Sequence, residues 1–532
     1  MATPSLAMIP SAYADAKVFS VLPNNGDGDF TFNRDSSATR IGQNGLIQTV
    51  GYFSSEKVVN GTFDTNSDWS VGSGWTISGG KANVNSTSLA DMSQDIGSST
   101  GKTYKITFEV SNYVSGSVKV LLGYGSTPVS PALTASANGI YEVEATPNVT
   151  NPQRLYISTQ TATSNLSIDN ISVKEVTGDQ PRLNYDISNG VVQSCPSLLL
   201  EPASTNLIVQ SNQFDTSWSA SGVTLQDNQS GVSGGLNAWK ITEDTSTAQH
   251  FVQLVGSLTA AAEQTVTIYA KAAERNYLML NQSGVFKAYY DLVNGTVVSI
   301  GTGVTASMES MPNGWWRCRY TATMTYTSLR VCVNNDGSSN SYTGDGVSGI
   351  YIQYCQNETL SYATSYIPNS GQSAGVTRAA ETCFGAGTSS TFNSTEGVLY
   401  VEIKTFSESG SAGVISLNDG SNTNRVKIEL DGGQIKVRID TTAGQVASLN
   451  YTIAITNYLK IAVKWKADDY ALWINGIEGA TDTSGASFVA GTLSELSFDR
   501  GDGVEDFYGN TKDVRVFNEA LTDLQLQKLT TL

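Results

Sequence analysis

A single histidine, His250, occurs in the 532-residue chain, so any Ser-His-Asp or Cys-His relay would have to be built on it. Its setting, TAQHFVQ, is a polar strand context without a nucleophile elbow, and it reads as a structural histidine. Three acidic, Gly-rich stretches could hold calcium, which takes about six to eight carboxylate and carbonyl oxygens: NNGDGD at 24–29, NNDGSSNSYTGDG at 334–346 and DRGDGVED at 499–506. None follows the EF-hand order. Solvated β-turns are the favoured reading, with Asp499, Asp502 and Asp506 as the candidate ligands should a structural calcium be held; no cofactor is required. Indole faces pack on the apolar faces of pyranose rings as they do on other apolar surfaces. Of the eight tryptophans, Trp465 shares a face with Leu459, Ile461 and Val463 and belongs to a core. Trp69 and Trp218 hold equivalent places in an internal repeat, which suits packing. Trp75 and Trp473 remain as candidate carbohydrate platforms, together with Asp419, Asn422 and Asn424 in a loop at one end of the last domain.

Such residues need a scaffold, and composition names its class. Only 15% of residues are charged, glycine counts 50, and Ser, Thr and Asn are plentiful. Helix formers are scarce and β-branched residues common, which predicts an all-β chain of several jelly-roll or β-sandwich domains in tandem. The length is too great for one core and suggests about three or four domains. A net charge of −17 argues against nucleic acid and anionic membranes as partners. No apolar run reaches the roughly 18 residues of a membrane span. The opening MATPSLAMIPSAYADAK lacks a basic n-region, so no signal peptide is expected. Five widely spaced cysteines show neither CxxC nor Cys/His ligand spacing and read as buried free thiols.

Along the chain, residues 1–57 form an N-terminal β-unit with an Asn44-Gly45 turn, too small for its own core and continued at 179–207. Residues 58–178 read as a sandwich with strands YKITFEV, VSGSVKVLLGY and LSIDNISVKEV. Residues 179–207 are a linking unit in which Pro181, Pro196 and Pro202 forbid a helix. Residues 208–375 repeat the first sandwich in diverged form: FDTNSDWS is matched by FDTSWS, TYKITFEVS by QTVTIYAKA, and SIDNISVKEV by SGIYIQYCQN. Residues 376–532 are a last domain with hairpins RVKIEL/IKVRID and YLKIAVKWK/YALWINGIEG. Lys460, Lys464 and Lys466 alternate with the apolar face of that second hairpin and predict a solvated basic sheet surface. A capping box at Thr522 and Gln525 predicts one short C-terminal helix.

These residues carry three resemblances. EGVL at 396–399, NRVKIEL…IKVRID, LKIAVKWKADDYALWINGIEG and FYGNTKDVRVFNEALTD resemble laminin-G/concanavalin-A-like jelly rolls. NGTFDTNSDW and SIDNISVKEV resemble the galactose-binding-like jelly rolls of carbohydrate-binding modules, and 208–370 does so more loosely. The connecting strings are more specific: GDFTFNRDSSATRIGQNGLIQTV, PRLNYD…CPSLLLEPASTNLI and VTRAAETC resemble a recurring set in tail-associated and fibre-like structural proteins of bacteriophages. There the first two strings lie close together, so the sandwich at 58–176 looks inserted.

The resemblance implies a non-enzymatic component of a phage virion, in the tail or fibre apparatus. Its partners would be other virion proteins and host surface glycans, as a homo-oligomer with a trimer among the options, and the 1–57 unit is the expected anchor. The Glu-x-Asp-x-(x)-Glu run of concanavalin-like glycanases does not occur. The alternatives are a structural adaptor or decoration protein that binds no sugar, and a secreted carbohydrate-active protein.

Overall fold

The computed structural model describes residues 2–532 apart from 100–101, 125–126, 129–132, 146, 148–152, 178, 216, 257–261, 283–285, 325–327 and 370–374. The end of the first predicted domain, residue 178, lies outside the described residues. Strands dominate, and among the described residues the one α-helix is Asp523–Thr530. That helix is too short and too polar to cross a membrane.

The two repeats are sandwiches with one strand order. In the first, Gly139–Ala145, Tyr104–Ser115, Ser164–Thr177, Ala82–Ser86 and Trp75–Ile77 lie side by side. In the second, Trp316–Met324, Ala262–Ala272, Gly349–Glu358, Ala238–Glu243 and Val223–Gln229 do the same. The likeness extends to single residues. The register slips between Thr107 and Glu109 opposite Asn170, and between Thr267 and Tyr269 opposite Tyr354; Asn170 and Tyr354 both take positive φ (51° and 53°). Such a bulge adds one unpaired residue and bends the strand. Trp69 packs on Phe63 at 5.2 Å and donates Nε1–H to Asn60 O, while Trp218 packs on Phe214 at 5.0 Å and donates to Gln210 O. FDTNSDWS and FDTSWS are therefore the same entry clasp.

The last sandwich is composite. Its larger sheet runs Arg182–Ser188, Val191–Leu200, Gly509–Phe517, Glu396–Lys404, Leu459–Lys466, Tyr470–Ile474, Ile477–Asp482, and Leu6–Met8 also pairs with Gly509–Phe517. The facing sheet runs Gly444–Thr452, Gln434–Thr441, Arg425–Asp431, Ser411–Asn418, Glu495–Ser497. Leu6, Met8, Phe30, Phe32, Leu198 and Leu200 share one buried core with Ile428, Val437, Val463 and Trp465. Residues 1–57 and 179–207 do adjoin each other, yet they form no unit apart: they complete the sandwich of 376–532.

Both repeats leave this body and return through closed necks. Tyr52–Phe53 pairs with Val176 and Thr177 at the base of the first, and Ser204–Asn206 with Val376–Arg378 at the base of the second. The chain thus makes one sandwich interrupted twice by the same inserted fold.

The short helix lies on the outer face of the composite sheet. Leu521, Leu526 and Leu529 bury Ala462, Ala471 and Trp473 beneath it. The predicted solvated basic face is the helix's seat. Lys464, 6% exposed, pairs with Asp469 at 2.6 Å and lies 3.8 Å from Asp523 in the first helical turn. Lys460 Nζ donates to the Thr531 carbonyl beyond its last turn, and Lys466 alone of the three stays at the surface, paired with Glu396. Acid at the start of a helix and base at its end suit the peptide dipoles.

Candidate functional site

The charged residues of the connecting strings converge where the two necks meet. Arg34, Arg182 and Arg378 are fully buried with Glu201 and Glu381. Arg34 Nη1 donates to Glu381 Oε1 at 2.6 Å, and Arg182 grips Glu381 through Nε, at 2.8 Å, and Nη2. Arg182 Nη1 also reaches Glu201 Oε2 at 2.7 Å, and Arg378 Nη1 lies 2.9 Å from the same oxygen. The second repeat joins through Ser365, whose N–H and hydroxyl both donate to Glu201. Glu358 accepts from Ser204 Oγ and from the N–H and hydroxyl of Thr364. Burial alone would raise Glu201's carboxyl, but Arg182 and Arg378 hold it down at about 2. Glu381 is lowered against the same burial by Arg182 and Arg34. Buried charges persist only when paired and hydrogen-bonded, and here the bonds of Arg34 and Arg182 to Glu381 and Glu201 join residues 19 to 347 apart.

Beside this lock lies a cavity of about 480 Å³ bounded by the Ala38–Ile41 strand, the Arg182–Ser188 strand, the second repeat and the composite sandwich. The hairpin of residues 38–50 is pressed against the second repeat: Ile47, Val232, Tyr269, Met311 and Trp315 share a buried cluster. Gly45, at the hairpin tip with φ of 74°, sits where a Cβ would fall 2.5 Å from the Pro312 ring and 2.6 Å from Val192. No other residue fits both the left-handed backbone and that approach. On the cavity wall Glu309 is tied to Arg317 at 3.4 Å and Arg319 at 3.1 Å. Asp186 is tied to Lys404 at 2.8 Å and accepts from the Tyr458 hydroxyl at 2.8 Å. Burial would raise Asp186's carboxyl, yet Lys404 keeps it below the usual range. Arg40 has no carboxylate partner among the described residues, and its buried Nε has no hydrogen-bond acceptor.

A second, open hollow of about 600 Å³ continues past Arg40 and Tyr185 onto Tyr13, Gln43, Asn44 and Gln48. Arg40's guanidinium lies 5.8 Å from the centre of the Tyr13 ring. Sequence reasoning placed no ligand here. The available signal was charge itself: in a chain poor in charged residues, the connecting strings carry Arg34, Arg40, Arg182, Glu201, Arg378 and Glu381.

The residues singled out from sequence fall elsewhere. Trp75 is buried in the first repeat's core with Nε1 donating to Ala90 O, and Trp473 is buried under the C-terminal helix. Neither indole offers a face to a sugar, because Trp75 lies inside its sandwich's core and Trp473 lies beneath the helix. The loops around Asp419 and Asp499 do come together: Asn422 Nδ2 donates to Asp502 Oδ2 at 3.0 Å, and Arg425 Nη1 donates to Arg500 O at 3.3 Å. Within them Asp419 accepts from Ser421 and Asn424, and Asp502 is paired with Arg500 at 2.8 Å. Asp499 accepts the Gly501 N–H. Burial, with the Glu495 and Asp502 charges, raises Asp499; burial, with the Asp499 charge, pushes Asp506 up to about 6. Among the described residues no group of three or more His, Cys, Asp or Glu is arranged to hold a metal, and Asp499, Asp502 and Asp506 do not converge as one.

His250 is buried against Tyr342, with Nδ1 2.8 Å from Gly222 O. Four cysteines are buried thiols, but Cys195 is exposed, on the outer half of Val191–Leu200 where the strand runs past its neighbour.

No protein-family model and no curated protein matches the chain. Among solved structures it is similar to the CBM40 domain of Ruminococcus gnavus IT-sialidase bound to α2,3-sialyllactose, at 18% identity over 26% of this chain and 83% of that one, with a TM-score of 0.23. The tandem CBM22-1–CBM22-2 domains of Paenibacillus barcinonensis Xyn10C are 10% identical over 58% of this chain and 98% of theirs, TM-score 0.22. Domains LG4-5 of the mouse laminin α1 chain are 10% identical over 64% and 96%, TM-score 0.19. Likeness at these levels does not reach ligand or site. The chain's own strands make it an all-β protein of β-sandwich domains in series with one short C-terminal helix.

Proposed function

We propose that the chain is a non-enzymatic component of a bacteriophage particle, in its tail or fibre apparatus, that holds lectin-like β-sandwich modules out to host-surface glycans. One observation carries this reading. The strings that resemble the phage set are the segments that meet in the buried Arg34–Glu381–Arg182–Glu201–Arg378 lock, where the second inserted sandwich is tied to the composite one. Their residues build a rigid mount rather than a reaction centre, and a mount with projecting modules suits presentation. The partners would be neighbouring virion proteins on the composite sandwich and glycans on the modules, with the virion as location.

The test is immunogold electron microscopy of purified particles together with a glycan array probed with the purified chain. Gold on the tail or fibre with saturable binding to a glycan class is the expected result. Absence from particles overturns the virion reading, and labelled particles with a blank array favour an adaptor that binds no sugar.

A further inference from the structure

The cavity beside the lock and the hollow over Tyr13 adjoin at Arg40 and Tyr185, which line both, and together make a cleft. We propose that this cleft is a saccharide-binding site and that its ligand is an oligosaccharide bearing a carboxylate, held by Arg40. The proposal rests on the glycan-presenting reading above and names its site and ligand class.

Three features point the same way. First, the cleft has the chemistry of a sugar site. Tyr13 and Tyr185 supply aromatic surface, and Gln43, Asn44 and Gln48 supply amides that can both donate to and accept from hydroxyls. Second, its charges are asymmetric in what they leave over. Glu309 is engaged by Arg317 and Arg319, Asp186 by Lys404 and Lys512, and Glu201 by Arg182 and Arg378. Among the described residues Arg40 alone of the cleft's cations has no carboxylate partner, and its Nε is buried without an acceptor. A guanidinium presents a planar fork that matches a carboxylate in two parallel hydrogen bonds. A buried donor without a partner is costly, so it marks a place a ligand's acceptor would relieve. Third, the walls come from four separate chain segments fixed by the lock, so the cleft is formed before any ligand arrives, as small-ligand sites usually are.

The experiment is calorimetric titration of the full chain with oligogalacturonate and with sialyllactose, against lactose as the neutral control, repeated for Arg40→Gln and Arg40→Lys. The expected result is saturable binding of at least one carboxylated sugar, weakened by added salt and little or no binding of lactose. Arg40→Gln should lower that affinity by roughly tenfold or more, and Arg40→Lys, which keeps the charge but not the fork, should fall between. Because Arg40's Nε is unsatisfied in the empty cleft, Arg40→Gln should keep or raise the thermal midpoint, which separates a lost ligand contact from a damaged fold. Equal binding of acidic and neutral sugars, or affinity untouched by Arg40→Gln, overturns the cleft while leaving a lectin elsewhere on the molecule. No binding of either carboxylated sugar overturns the proposal, and a blank glycan array alongside it removes the glycan-presenting reading as well.

Discussion

Burial pushes the Asp506 carboxyl up to about 6, and the nearby Asp499 charge pushes the same way. A carboxyl raised on folding favours the folded form while protonated. Its contribution is present below the ordinary value of 3.8 and is lost as pH rises through about 6. Glu201 runs oppositely: held at about 2, it contributes above its ordinary 4.5 and loses that contribution as pH falls toward 2. Asp506→Asn should therefore flatten the decline in thermal midpoint between pH 4 and 6 (a window set by those two Asp506 values) and leave the acid limb below it in place. A scanning-calorimetry pH series checks this. In the lock, Glu381→Gln leaves buried Arg34 without a carboxylate and Arg182 with Glu201 alone, and should cost about 3–5 kcal/mol. Glu505→Gln at the exposed Arg500 pair should cost at most about 1 kcal/mol. Paired urea midpoints decide between them. At this scale the sequence was least informative. Trp473's neighbours on its own strand gave it an outward direction correctly, but what covers that direction is a helix some fifty residues later.

That helix is the clearest case at the scale of elements. Its existence was readable from Thr522 and Gln525, and Gln525 Oε1 does accept the Thr522 N–H at 2.8 Å. Its seat was not readable, since alternation along Leu459–Lys466 fixes two faces and cannot say whether the polar one meets water. Leu526 is fully buried in the seat, so Leu526→Ala should cost about 2–5 kcal/mol. It should also speed amide exchange in Tyr470–Ile474, read by mass spectrometry. The hairpins and the duplication were legible because they are local or repeated: the FDT clasp, the paired strands and even the bulges recur in kind. The composite sheet was not, because Leu6–Met8 and Leu198–Leu200 are short apolar runs with no mark of the strand they join. Leu6–Met8 and Leu198–Leu200 join the sheet through Gly509–Phe517, and Val191–Leu200 pairs on its other side with Arg182–Ser188.

For the whole molecule the consequence is a hierarchy of independence. Removing residues 54–175 and joining the ends through a short Gly-Ser turn should leave the remainder folded, since Tyr52–Phe53 and Val176–Thr177 already lie side by side. Retained thermal unfolding of the remainder and retained ligand binding in the Arg40 cleft would bear this out; aggregation would count against the neck as a true boundary. Residues 376–532 expressed alone should fail where the excised chain succeeds. They lack Leu6–Met8 and Val191–Leu200, which cover one side of Gly509–Phe517, leaving that edge exposed, which invites aggregation.

The closed necks also set a timetable. The composite sheet joins residue 6 to residue 516, and Arg34 to Glu381. Contacts this distant in sequence are slow to form because the intervening chain must first be brought round. Each inserted sandwich, once folded, brings its own two ends together and removes its length from that search. The insertions thus serve as internal clamps during synthesis, gathering the scattered strands of the outer sandwich into reach before its last strand, Gly509–Phe517, leaves the ribosome.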